Sequence, residues 1–220
     1  MVEEKSVLEP IFETFGGLPS SPGMQIQFGP PPPKTRLWFL SSDGDHLIQF
    51  QEDRLLLNWR KMSNGGVYPR YENISKRFGK YLRDTQAVFD RLFNAPLDIT
   101  QAEISYINII PLEGDSQVGD WLDFGFVGTL NHEAFSFQFG EVISAKDGRP
   151  YGRLIAEIKS AVTVNGEGKA LQFTLTFRGK PFAKDIPSAM DFLRAGREKI
   201  VIRFDDLTTE KAHFHWGKRA

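Results

Sequence analysis

The chain has 220 residues, of which 40% are hydrophobic and 25% charged, as in a folded globular protein of one large domain or two small ones. Its net charge of −1 disfavours general nucleic-acid binding, because proteins that bind phosphates carry a basic excess. The absence of cysteine excludes disulfides and thiolate sites. The sequence shows neither a signal-peptide pattern nor a long apolar span, which predicts a cytoplasmic protein that does not bind a membrane.

The first part of the chain is predicted to be extended and then to form a three-stranded meander. Residues 1–35 contain two breaker clusters, GGLPSSPG and GPPPPK, on either side of one short strand at 24–28. The segments RLWFLS, HLIQFQ and RLLLNWR follow as alternating strands. Asp43-Gly44 predicts a tight turn between the first two, because glycine accepts a positive φ.

A helix and a long strand are predicted next. Over residues 71–93 the apolar side chains recur at spacings of three and four, which indicates one buried helical stripe. Asn94 and Pro96 end this helix. Residues 99–112 (ITQAEISYINIIPL) alternate as a strand, whereas residues 113–133 give no clear pattern.

The last part predicts three more strands and a second helix. AFSFQFGEVI, RLIAEIKSAVTV and ALQFTLTFRG alternate clearly and are separated by glycine-containing turns. The helix is expected to start near Ser188, with Asp191 completing a cap, and to run to about residue 205. Thr208 or Thr209 then caps a short final turn.

These elements predict an α+β fold with one broad antiparallel sheet and two long helices on one of its faces. Each half reads as four strands and a helix, which suggests a tandem ββββα duplication. The halves are residues 36–112 and 113–220, sharing one sheet as a single domain behind the extended segment 1–35.

Several motifs resemble a sporadically distributed family of uncharacterised bacterial proteins. They are WFLSSDGDHLIQFQEDRLLLNWR (38–60), YPRYE (68–72) and Tyr106 with Asn108, so the resemblance covers about residues 36–110. The ending Phe204 to Gly217 is a weaker match. The additional family strand rich in Pro and Val-Glu-Ala is not found here, so the first sheet edge is expected to differ. The resemblance implies a shared fold and no particular reaction.

One connection, LLLNWRKMSNGGVYPRY (55–71), concentrates aromatic and arginine side chains. One interpretation is structural: these side chains close the end of the sheet against the first helix, with arginine stacking on an aromatic ring. The other is a recognition surface, because Trp, Tyr and Arg are enriched in binding hot spots and two arginines can hold a carboxylate or phosphate. The candidate binding residues are Trp38, Asn58, Trp59, Arg60, Tyr68, Arg70 and Tyr71.

No catalytic motif, cofactor motif or metal-ligand spacing is recognised, so no catalytic residue, cofactor or metal is predicted. His213 and His215 would share a face on a strand but diverge on the predicted helix, and His132-Glu133 is distant in sequence. Phenylalanines at spacing two are predicted to be core, or to line an apolar cavity beneath a helix. They are Phe135, Phe137, Phe139, Phe173 and Phe177.

The sequence therefore favours a non-catalytic binding module, acting as an accessory or regulatory protein-binding subunit of a bacterial system. The alternative is a small-molecule binder that holds an apolar or carboxylated ligand between a helix and a curved sheet. An unrecognised hydrolase or nuclease ranks below both.

Overall fold

The computed structural model describes residues 1–8, 11, 13–15, 35–62, 67–114, 116–123, 134–163 and 168–217. The predicted strand at 24–28, His132-Glu133 and most of the unassigned segment 113–133 lie outside these residues. The predicted α+β class with antiparallel strands is confirmed. The chain divides into two compact units, Met1–Asp98 and Ile99–Ala220.

The described residues of the first unit form four strands and one helix. These are β1 (Val2–Lys5), β2 (Arg36–Leu40), β3 (His46–Gln51), β4 (Arg54–Trp59) and α1 (Arg70–Phe93). The described residues of the second unit form four strands and three helices. These are β5 (Ala102–Pro111), α2 (Val118–Trp121), β6 (Ser136–Ser144), β7 (Pro150–Val162), β8 (Lys169–Gly179), α3 (Ile186–Asp206) and α4 (Glu210–His215).

The strands form two four-stranded sheets, which corrects the prediction of one broad sheet. The first sheet has the order β1-β2-β3-β4 and the second β5-β8-β7-β6, all antiparallel. β5 finds a partner of matching length in β8, from Ala102↔Gly179 to Pro111↔Ala170, so the described strands do not join into one sheet. β5 thus belongs to the second unit, although the predicted halves placed it in the first.

The first unit contains a strand that sequence analysis missed. Residues 1–35 were predicted to be extended apart from a strand at 24–28, yet β1 pairs with β2 from Val2↔Phe39 to Lys5↔Arg36. The amino group of Met1 donates a hydrogen bond to Leu40 O at 3.2 Å. A polar segment of four residues is too short to show the alternation of a strand, so its sequence alone did not predict β1. The strand forms through its pairing with β2.

The second unit has a well-packed core between its sheet and α3. Phe173, Leu175 and Phe177 of β8 are fully buried, and α3 packs against β5, β7 and β8. Gly196 of α3 permits this close approach, because a Cβ there would lie 2.6 Å from Cδ1 of Phe177. No helix among the described residues is long and apolar enough to cross a membrane.

The helix ends mostly follow their predicted signals. Asn94 ends α1 in the left-handed conformation, with φ of 50°. Thr209 caps α4 by accepting a hydrogen bond from Ala212 N. The start of α3 corrects the prediction: the cap is Asp185, whose carboxylate accepts from Ser188 N, so Ser188 already lies in the first turn. Aspartate is as good a cap as serine, and sequence spacing did not separate the two.

Candidate functional site

One face of the first sheet is apolar and only partly covered. Cross-strand partners share a face, and side chains alternate along each strand. The register of β2, β3 and β4 therefore places seven apolar residues of these three strands on one face, and each is half-buried or exposed. These residues form the apolar face of the first sheet: Leu37, Phe39, Ile48, Phe50, Leu55, Leu57 and Trp59.

A pair of aromatic rings lies at the end of β4. The Trp59 and Tyr68 ring centroids are 5.2 Å apart at an interplanar angle of 64°, an edge-to-face contact. Trp59 is half-buried, and Tyr68 is 41% exposed. The structure thus brings together two of the predicted site residues, which were separated by the loop between β4 and α1.

Arg70 and Tyr71 begin α1. The Arg70 backbone is in the left-handed region with φ of 64°, which costs a non-glycine residue about 1–2 kcal/mol, and its side chain is exposed. Tyr71 is half-buried. The Tyr71 hydroxyl oxygen is itself buried, so of these two residues only Arg70 is exposed at the start of the helix.

Trp38 and Asn58 lie on the opposite face of the same sheet. Trp38 shares a cross-strand row with Gln49 and Leu56, and Asn58 lies two residues beyond Leu56. The Lys5 ammonium is 5.1 Å and the Arg36 guanidinium 5.3 Å from the Trp38 ring centroid. The indole N–H of Trp38 and the amide nitrogen of Asn58 are buried and have no hydrogen-bond partner among the described residues.

Arg60 ties the end of β4 to the β2–β3 turn. Its Nε donates to Gly44 O at 3.3 Å, and its backbone N–H donates to Asp45 O at 2.9 Å. The buried Asp45 carboxylate accepts a hydrogen bond from Met62 N at 2.9 Å. Gly44 takes the positive φ that the Asp-Gly signal predicted, at 73°. The structural interpretation therefore accounts for Arg60.

The seven predicted site residues consequently do not share one surface. Trp59 and Tyr68 meet, Trp38 and Asn58 lie on the other face of the sheet, and Arg60 holds a turn. Sequence analysis missed the apolar face itself. The run Leu55-Leu56-Leu57 places leucine on both faces, so alternation did not show which face is covered.

The second unit contains a pocket of about 520 Å³ between the end of β5 and the two short helices. Thr209 N donates to Trp121 O at 3.1 Å, and Lys211 Nζ donates to Asp120 Oδ1 at 2.7 Å. These bonds fasten α4 to α2. The residues that line the pocket are Ile110, Pro111, Glu113, Ser116, Trp121, Lys211, Phe214, His215 and Trp216.

Aromatic rings form one part of the pocket wall. The Trp121 ring meets His215 edge-on, with centroids 4.9 Å apart, and stacks against Trp216 at 5.7 Å. Trp216 in turn contacts Phe204, which stacks on the fully buried Phe173. This chain of rings connects the wall to the core.

Two charged side chains line the pocket, and of these Lys211 forms an ion pair with Asp120. The hydrogen bond from Lys211, followed by that from the Gln117 backbone N–H, lowers the pKa of Asp120 below its usual value. Lys211 is thus neutralised by an ionised partner. The Glu113 side chain is exposed and makes no ion pair or hydrogen bond with any described residue.

His213 stabilises the corner between α3 and α4. Its Nε2 is 2.7 Å from Thr208 Oγ1 and 3.3 Å from Asp205 Oδ1. A nucleophile–base–carboxylate relay needs the hydroxyl and the carboxylate on opposite ring nitrogens, and here both approach the same one. Over the described part of the chain, no group of three or more His, Asp or Glu residues is arranged to hold a metal ion.

The five phenylalanines that were predicted to be core or to line a cavity differ in their burial. Phe173 and Phe177 are fully buried core residues, whereas Phe135, just before β6, and Phe137 and Phe139 within it remain partly exposed. None of these five lines the pocket. The residues that do, notably Trp121 and Trp216, were not predicted, because they come together only through the contact between α2 and α4.

Comparison of the chain with protein-family models, with curated proteins and with solved structures found no match. The family resemblance carried by the tryptophan, arginine and tyrosine motifs therefore stays a prediction.

Proposed function

We propose that this protein is a binding module that engages another protein, as an accessory or regulatory subunit, through the apolar face of its first sheet. The observation that carries the proposal is that seven apolar side chains share this face and none is fully buried. Phe39 is exposed and the other six are half-buried, so the face is incompletely covered, and a large contiguous apolar patch that reaches solvent marks an interaction site.

The edge of this face has the composition of a binding hot spot. Phe39 is 39% exposed near its middle, and the Trp59–Tyr68 pair lies at its end. Tryptophan and tyrosine contribute large areas at low entropic cost, and the exposed Arg70, two residues after Tyr68, adds a bidentate donor. A partner segment that covers the face would remove the exposed apolar area from water.

The test is a gentle purification of the protein from its own cells, followed by native mass spectrometry. Wild-type protein and Phe182→Glu, a matched change at an exposed phenylalanine of the second unit, should retain one co-purifying polypeptide. Phe39→Glu should lose that polypeptide while keeping its circular dichroism spectrum. Equal retention by all three proteins, or a bare wild-type chain, would contradict the proposal.

A second candidate function is supported by the pocket of the second unit: the protein binds a small molecule. A volume of about 520 Å³ lies within the usual range for ligand sites, and apolar walls with a few polar groups are typical of them. The same native mass spectrum tests this function, because a bound ligand adds a small mass that is lost on denaturation.

We also infer a duplication from the order of elements, since each unit has four strands followed by a long helix. The strand orders of the two sheets differ, so the two units share the order of elements along the chain but not the pairing of their strands.

A further inference from the structure

The strand β5 forms one edge of the second sheet, and few features protect that edge from further pairing. β5 has ten residues, and its register with β8 runs from end to end without a shift. The strand at the opposite edge, β6, has a register shift between Ile143 and Ser144. Proteins protect sheet edges with bulges, short strands and charges. The one charged residue of β5 is Glu103, and its carboxylate is held by Arg178 at 3.2 Å.

Hydrogen bonds at the ends of the strands show which backbone groups of β5 face the open edge. Leu112 N donates to Lys169 O at 2.9 Å, and these residues extend the register of β5 with β8 by one pair. Hydrogen-bonded pairs alternate with non-hydrogen-bonded pairs in antiparallel sheets, so the even-numbered residues of β5 bond to β8. The bond from Lys180 N to Tyr151 O gives the same phase, because it directs the even-numbered residues of β8 to β7 and leaves the odd-numbered ones for β5.

The odd-numbered residues of β5 therefore direct their N–H and C=O groups away from β8. Pro111 is one of them and has no N–H. Outside the strand pairing, no backbone hydrogen bond joins the other four to a residue that the structure describes. These four residues are Glu103, Ser105, Ile107 and Ile109.

Apolar side chains accompany these backbone groups on both faces of β5. On the face away from α3, Ile107 is 64% exposed and Ile109 is 45% exposed. On the face towards α3, Ile104 and Tyr106 pack against the core but remain partly exposed. A further strand at this edge would satisfy the outward N–H groups and would also remove apolar surface from water on both faces.

We propose that this further strand is β5 of a second copy of the chain, so that two copies form a dimer with one continuous sheet. The two β5 strands run antiparallel about a two-fold axis beside Tyr106. This register pairs Glu103 with Ile109 of the second copy and Ser105 with Ile107 of the second copy, and it uses all four outward N–H groups of each strand. A register centred on Ile107 would instead place Glu103 opposite Pro111, which lacks a donor.

The side chains of β5 are compatible with pairing to themselves. Across the two-fold axis the side chains of Ile107 become diagonal neighbours, with Cα atoms about 7–8 Å apart, and Ile109 continues the apolar row in each copy. The two Glu103 carboxylates lie at opposite ends of the interface, six residues apart along the strands, which is on the order of 20 Å. At that distance their repulsion is largely screened by salt. The net charge of −1 also gives little general repulsion between copies.

The test is sedimentation equilibrium of the full chain from micromolar to millimolar concentration. The mass of the wild type should rise from that of one chain, 25.0 kDa, towards twice that value. Ile107→Lys should raise the dimer dissociation constant at least about tenfold, because it replaces an apolar contact with two ammonium groups at diagonal positions. Val142→Lys is the matched control: Val142 is 44% exposed on β6 at the other edge of the sheet, and its replacement should leave the constant unchanged. Circular dichroism verifies the fold of both variants.

Amide hydrogen exchange of single residues tests the backbone bonds directly. In dilute solution the amides of Ile104 and Tyr106 should be protected and those of Ser105 and Ile107 should exchange freely, because the even-numbered residues bond to β8. In concentrated solution Ser105 and Ile107 should become protected as well, with a midpoint at the dissociation constant from sedimentation.

Three outcomes would overturn the proposal. The first is a wild-type chain that stays monomeric up to millimolar concentration. The second is a dimer that Ile107→Lys leaves intact, or that Val142→Lys disrupts instead, since the interface would then lie elsewhere. The third is a dimer in which Ser105 and Ile107 exchange as fast as in dilute solution. None of these results bears on the binding of another protein by the first unit, which Phe39→Glu tests separately.

Discussion

Replacing Gly196 by alanine tests how closely α3 packs on the second sheet. In an exposed helix interior this change stabilises a protein by about 1 kcal/mol, because alanine has the higher helix propensity. At Gly196 the new methyl group would lie 2.6 Å from Cδ1 of Phe177 and 3.0 Å from Cγ2 of Ile104. Phe177 is fully buried and cannot rotate away freely, so we expect an overpacking cost of about 1–3 kcal/mol.

The propensity gain of about 1 kcal/mol offsets part of that cost, which leaves a net destabilisation of about 0–2 kcal/mol. Urea unfolding followed by tryptophan fluorescence gives the free energy of unfolding. Gly140→Ala is the matched control, because its new Cβ would lie 3.4 Å from Cδ of the flexible Arg153 side chain and should change stability by under about 0.5 kcal/mol. If Gly196→Ala instead stabilised the protein, the close approach of α3 to β8 would be refuted.

Three further changes test other parts of the structure. Trp59→Ala should cost about 2 kcal/mol, roughly half the value for a fully buried tryptophan, and a loss under about 1 kcal/mol would refute its packing role. Asp185→Ala removes the cap of α3 and should lower the free energy of unfolding by about 1 kcal/mol, unlike Asp191→Ala in the same helix. The pKa of Asp120 is lower in the folded protein than in the unfolded chain. The stabilisation by ionised Asp120 is therefore complete above the unfolded pKa, about 3.9, and is lost as the pH falls through the lower folded pKa. Acid unfolding of Asp120→Asn should therefore show a shallower pH dependence than that of the wild type, and identical profiles would contradict the link with Lys211.

Local signals were sufficient for much of the fold. Alternation over residues 153–164 and 170–179 predicted β7 and β8, because one face of each strand is buried in the core. The positions of Asn94 and Thr209 gave a helix end and a helix start, because caps depend on a few adjacent residues.

Features that depend on distant residues were not predictable in the same way. The sequence of β5 is compatible with many partners, so its pairing with β8, and hence the division into two sheets, could not be read from it. The pocket depends on a bond between Asp120 and Lys211, which are 91 residues apart. The predicted binding residues were selected by residue type, whereas their division between two faces follows from the register of β2, β3 and β4.

The pairing of β5 with β8 has a consequence for how the second unit folds. β6, β7 and β8 are separated by only a few residues in sequence and can form hairpins locally, whereas the bond between Asn108 and Phe173 closes a segment of 65 residues. Closing such a segment costs entropy before any contact compensates for it, so β5 is expected to join the sheet late. Until it does, the edge of β8 is open to pairing with other chains, which makes this the step at which refolding competes with aggregation.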